Sequence, residues 1–187
     1  MKRLFSYQHS FSKKLILSVT ALVIAISFIF SIALYTTTMY ILNDYVKPQF
    51  TEKLQIISEE ITQKIDPADA TAAEQNDKAK AKALHEQLAA LQDKYNVVTV
   101  YILNKINNEG NVVVMSDLET TNLAYPFTKD METAMNERKK IIGDIYTDEY
   151  GTVQTALMPI EGTDMLAGVD INASFIQKIQ NIVIIFV

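Results

Sequence analysis

One ionisable carboxylate stands in an otherwise apolar stretch: Asp170, within Met165-Leu166-Ala167-Gly168-Val169-Asp170-Ile171. A carboxylate carried into such a strand needs a cation or several donors around it. Two roles meet that need. Asp170 either contacts a ligand or accepts backbone N–H bonds where the strand ends and a helix begins. Three tyrosines, Tyr101, Tyr125 and Tyr146, lie in or near β-type segments and supply an apolar ring with a polar tip. They serve as core or as pocket lining. Met115, Ser116 and Asp117 stand where another β-type segment opens into a loop. Asp148 and Glu149 read as turn residues, because no further acidic ligand follows at the loop spacing of a calcium site.

The remaining inventory excludes several chemistries. With no cysteine among 187 residues, disulfides, thiolate catalysis and zinc–thiolate sites are ruled out. The two histidines, His9 and His85, are separated by a membrane-type segment, so they assemble no metal cluster or Ser-His-Asp triad within one chain. No Gly-rich phosphate loop occurs, and no metal or cofactor is implied. An enzyme is therefore not expected. Between 43 and 174, 22 acidic residues face 12 basic ones, a net charge of −10. That balance argues against nucleic acid and against docking on anionic headgroups.

What positions these residues starts with Leu15 to Leu42, which carries no Asp, Glu, Lys, Arg or His over 28 positions. A bilayer needs about 20 apolar residues in helical form. Lys2, Arg3, Lys13 and Lys14 precede the run, which places the N-terminus inside the cell and the acidic segment outside. A cleaved signal peptide is the rival, but its apolar region would stop after about 7–15 residues. The expected layout is a cytoplasmic 1–14, a membrane helix 15–42, an extracellular or periplasmic domain 43–174, and the start of a second membrane helix at 175–187. A buried terminal strand is the alternative for Phe175 to Val187.

After the membrane run, Val46, Phe50, Leu54, Ile57, Ile61 and Ile65 recur at spacings of 4, 4, 3, 4 and 4, one stripe of an amphipathic helix. Its length points to a homodimer seam, with packing on the domain's own sheet as the alternative. Pro48 predicts a kink or restart. Pro67 to Asp77 reads as a loop, and Asn76 or Asp77 caps a helix over Lys78 to Tyr95, with His85 on its surface. Val97–Leu103 and Asn111–Ser116 form a hairpin about Asn107–Gly110. Asp117–Pro126 is irregular, and a short helix follows from Thr128 to Glu137. Strands over 141–147, 152–159 and 165–171 complete the pattern, with turns at Tyr150-Gly151 and Glu161-Gly162. The fold class is α+β: a membrane anchor, a long amphipathic helix, then a PAS-like five-stranded antiparallel sheet with helices on one face and its first and last strands adjacent.

The segment IGDIYTDEYGTVQTALMPIEGTDMLAGVDINASFI, from Ile142, resembles the end of a Cache domain, the extracellular PAS-like module of bacterial chemoreceptors and sensor kinases. Tyr146 to Gly151, Met158-Pro159-Ile160 and Gly168-Val169-Asp170-Ile171 carry the likeness. The resemblance implies the sensor region of a membrane-bound methyl-accepting chemotaxis protein, binding a small molecule outside the cell. It places Asp170 on a ligand amino group with Tyr146 assisting, and Met115, Ser116 and Asp117 at the pocket rim. The family's Arg and Trp motif for a ligand carboxylate has no counterpart, since Trp is absent and Arg138 is the only arginine between 43 and 174. A histidine kinase or diguanylate cyclase output, or an assembly protein that transmits nothing, are the other readings.

Overall fold

The computed structural model describes residues 2–118, 123–148 and 151–185. They form two compact units, 1–46 with 178–187, and Lys47–Gln177. In the first unit, helix α1 (Lys2–Ile41) exposes its apolar side chains from Phe11 to Tyr35, Leu17 at 71% and Ile29 at 67% among them. An exposed apolar cylinder of this kind calls for a non-aqueous surrounding. Helical backbone runs on without a break to Thr62, long and apolar enough to cross a bilayer, with a mean hydropathy of 2.7 in its most apolar window. At Pro48 the expected kink takes the form of a π-helical turn, Leu42–Val46. Pro48 has no N–H and its ring crowds the Asp44 carbonyl four residues back. The wider turn accommodates both, and the helix continues as α2 (Lys47–Thr62).

In the second unit the stripe of α2 buries Leu54 and Ile61, with Phe50 and Ile57 packed beside them. The stripe packs inside the domain, against the sheet, as the alternative to a dimer seam has it. Residues 67–77, expected as a loop, contain helix α3 (Pro67–Glu74). Asp66 accepts the Ala68 N–H as its cap and Pro67 presets the first turn, while Ala70 and Ala73 are buried. Alanine favours helix without marking an apolar stripe, which is why the segment reads as loop. Asp77 caps α4 (Lys78–Tyr95), accepting from Ala79 and Lys80, and Leu84 and Leu88 are buried. Each such leucine contributes about 1.5–3 kcal/mol by leaving water.

The strands are β1 (Thr99–Ile106), β2 (Glu109–Met115), β3 (Leu123–Tyr125), β4 (Ile141–Ile142), β5 (Tyr146–Asp148), β6 (Gly151–Pro159) and β7 (Leu166–Asn172). They form one antiparallel sheet in the order β3-β2-β1-β7-β6-β4, with β5 also on β6. The expected hairpin is β1–β2, where Asn107 (φ 50°) and Asn108 (φ 66°) make a two-residue turn between the paired Ile106 and Glu109. First and last strands adjoin, β1 on β7.

Three details differ from expectation. The third expected strand divides into β4 and β5 on either side of Gly143-Asp144-Ile145, both paired with β6. The stretch expected to be irregular contributes β3, held by β2. Helices cover both faces rather than one. The helices α2, α3 and α4 pack on the face of Val100, Ile102 and Val169, while α5 (Lys129–Glu137, capped by Thr128) sets Met131 and Ala134 against Tyr101, Leu103 and Leu157. The sheet is apolar on both sides, so each side needs a cover. Gly162 takes φ 77° in the β6–β7 turn, and residues 149 and 150 of the other expected turn lie outside those described. After β7 the chain forms helix α6 (Ser174–Ile185), not a terminal strand. Residues 186–187 of the second expected span lie outside the description.

Candidate functional site

On the α5 side, antiparallel register lines up residues across the sheet. Met115 pairs with Tyr101, Tyr101 with Gly168, and Gly168 with Leu157. One step along, Thr99 pairs with Asp170, and Asp170 with Thr155. Directly paired residues project to one face, so this second row is polar. Thr155 Oγ1 donates to Asp170 Oδ1 at 2.5 Å, and the Tyr146 hydroxyl lies 3.2 Å from Thr155 Oγ1. Thr99 Oγ1 donates to Asp117 Oδ1 at 3.1 Å. Two carboxylates and three hydroxyl groups thus cross the sheet from β2 to β5.

Above this row lies a cavity of about 130 Å³. Tyr101, Met115, Asp117, Tyr125, Tyr146 and Asp170 all line it, together with Thr99, Val98, Val112, Val153, Leu118 and Leu123. The six residues singled out from the sequence come together in one place. Tyr101, only 8% exposed, forms its floor, while Tyr125 and Tyr146, 36% and 39% exposed, stand at its mouth. Burial, and next the Asp170 charge, push the Tyr101 phenol well above its ordinary value, so it remains a neutral hydroxyl. The floor depends on Gly168. A Cβ there would lie 2.1 Å from Tyr101 Cζ, so only glycine lets the ring lie across β7.

Ser116 does not line the cavity. Its Oγ accepts the Val100 N–H at 2.9 Å and extends the β1–β2 ladder. The capping role considered for Asp170 belongs to Asn172, whose Oδ1 accepts the Ser174 N–H at 2.9 Å at the start of α6. His85 is not a plain surface residue: its Nδ1 lies 2.7 Å from the Met115 carbonyl, against the end of β2. Thr99 and Thr155 were missed in the sequence because single threonines in strands carry no signal. Only the pairing of each with Asp170 reveals them.

Neither a scan against protein-family models nor a search of curated proteins gives a match. Solved structures do. The sensor domain of the V. cholerae histidine kinase DctB superposes with a TM-score of 0.56 at 13% identity, covering 79% of this chain and 59% of that one. The chain shares the α+β fold of that sensor domain. Two structures of the Campylobacter jejuni chemoreceptor Tlp3 also match. Its ligand-binding domain with 4-methylisoleucine does so at a TM-score of 0.48, 15% identity, and 82% and 61% coverage of the two chains. Its sensory domain with isoleucine does so at 0.47, 16%, and 79% and 60%. The chain spans about three-fifths of the length of these structures.

Proposed function

We propose that this chain is the ligand-sensing region of a membrane-anchored receptor, which binds a small molecule outside the cell and passes a conformational change into α6. The convergence of Tyr101, Met115, Asp117, Tyr125, Tyr146 and Asp170 on one cavity carries the reading. In this proposal 15–42 crosses the membrane from a cytoplasmic 1–14, 43–174 is the outer domain, and 175–187 begins a second span. The cavity binds and does not catalyse.

Coupling follows from the short path between Asp170 and α6. Asn172 holds the Ser174 N–H, Ala173 N donates to the Thr152 carbonyl at 2.8 Å, and Thr152 Oγ1 donates to Gln177 Oε1 at 2.6 Å. A ligand that draws Asp170 away from Thr155 shifts β7 against β6, and the start of α6 is tied to both strands. The two arrangements need differ by only a few kcal/mol. A chemotaxis transducer is the favoured output. A histidine kinase is the second reading, favoured by the fold likeness to DctB. Homodimerisation would use surface that α2 leaves open, including the exposed Ile56, rather than its apolar stripe.

The test is a thermal-shift screen of amino acids, amines and small carboxylates on the full chain in detergent, followed by Asp170→Asn. Loss of one charge-assisted hydrogen bond, about 1.5–3 kcal/mol, predicts roughly ten- to hundred-fold weaker binding at a nearly unchanged Tm. Unchanged affinity with a lowered Tm would assign Asp170 a structural role and remove the proposal's main contact.

A further inference from the structure

We infer that the cavity takes a small organic ammonium ion that carries no carboxylate of its own. The inference rests on reading the cavity as a ligand site. Its described lining contains Asp117 and Asp170, three tyrosines and a threonine, and no lysine, arginine or histidine. Residues 119–122 and 149–150, outside those described, are Glu-Thr-Thr-Asn and Glu-Tyr, so they bring no cation either.

Several basic groups near the sheet are engaged elsewhere. Arg138, the sole arginine between 43 and 174, donates through Nη1 to the Thr163 carbonyl and through Nη2 to Ile160 O at 3.3 Å. Lys105 lies 3.5 Å from Glu132 and over the Phe127 ring, and Lys140 lies 2.8 Å from Glu59. His85 reaches the Met115 carbonyl from α4, which covers the other face of the sheet.

A ligand carboxylate would therefore enter beside two carboxylates with no counter-charge, an unpaired and partly desolvated anion. That repulsion discriminates as strongly as any attraction. An ammonium group instead brings three donors to a site rich in acceptors, and tyrosine ring faces attract cations. The buried Tyr101 hydroxyl stays neutral and adds a polar contact without adding charge. The cavity's 130 Å³ is close to the roughly 150 Å³ that holds one benzene, so about six non-hydrogen atoms fill it and a longer ligand extends out through the mouth.

Matched pairs that differ only in the carboxylate test this. Isobutylamine, phenethylamine and putrescine are titrated calorimetrically against the full chain in detergent, beside L-valine, L-phenylalanine and L-ornithine. At least one amine should bind saturably and at least about ten-fold tighter than its amino acid. Asp170→Asn and Asp117→Asn should each weaken it by roughly ten- to hundred-fold without shifting the melting transition. If an amino acid binds as tightly as its amine and still depends on Asp170, the ligand class is wrong while the sensor reading stands. If no amine binds, the ligand class is likewise overturned. If amine binding ignores both aspartate substitutions, the cavity is not the site and both readings fall.

Discussion

Gly168→Ala is the sharpest perturbation of the cavity. A Cβ at that position would stand 2.1 Å from Tyr101 Cζ, 2.2 Å from Cε2 and 2.6 Å from the hydroxyl oxygen. Carbon atoms in contact prefer about 3.5–4.0 Å, so the ring must retreat by roughly 1.5 Å. The backbones cannot part to allow this, because Tyr101 and Gly168 are paired across β1 and β7 at the centre of the sheet. The ring must therefore rise into the cavity. Forced repacking of this kind costs about 1–3 kcal/mol. At about 3 °C per kcal/mol for a domain of this size, Tm should fall by roughly 3–9 °C, measured on the full chain in detergent. Any ligand found in the screen should bind more weakly to the same variant. Adding Tyr101→Leu removes the clashing atoms, so the double variant should be more stable than the sum of the single effects by about 0.5–3 kcal/mol. A Gly168→Ala protein that melts like wild type, or a strictly additive double variant, would refute the argument that this glycine exists to seat the ring.

Because the Tyr101 proton is held more tightly in the folded state than in the unfolded chain, stability should decline as pH rises from about 10, the ordinary phenol value, toward the raised one. Tyr101→Phe should remove that component, and absorbance titration near pH 11 should show fewer tyrosinates in the native protein than after denaturation, a difference that Tyr101→Phe narrows. Asn172→Ala should cost about 1 kcal/mol by leaving the Ser174 N–H without its side-chain acceptor, read as a lower Tm with ligand affinity nearly unchanged. Asp66→Ala should destabilise by about 0.5–2 kcal/mol through loss of the α3 cap, measured in the same melts. Protease added to intact cells or protoplasts should digest 43–174 and spare the N-terminus; protection of that segment would overturn the topology.

Much of this was legible in the residues, for reasons that differ by element. The apolar run before Leu42 and the stripe through Leu54 and Ile61 are long periodic signals, and they emerge as helix. Asn107 and Asn108 tolerate the left-handed backbone of a tight hairpin turn, so turn chemistry located β1 and β2. Asp170 was legible as an anomaly, a charge in an apolar strand. What the sequence hid depends on partners far along the chain. β3 is three exposed residues that exist as strand only because β2 offers its edge. Alanines close the packing of α3 without announcing it. Thr99 and Thr155 join the site through register with Asp170, which requires knowing that β7 lies between β1 and β6.

That central place of β7 also dictates when the domain can acquire its structure during synthesis. The strand nearest the C-terminal end of the domain fills the middle of the sheet, and α2, the first helix of the domain, packs where Thr51 meets Gln154, 103 residues later. Pairings so remote in sequence form slowly, because the chain between them must be ordered first. As the polypeptide is made, β1 and β2 can pair early, but β1 keeps a bare inner edge until residues 166–172 arrive. The nascent domain therefore passes through a long interval with an open strand edge and uncovered apolar faces, features that invite aggregation. Truncations ending before Leu166 should accumulate as insoluble or proteolysed chains, whereas those ending after Ala173 retain the closing strand.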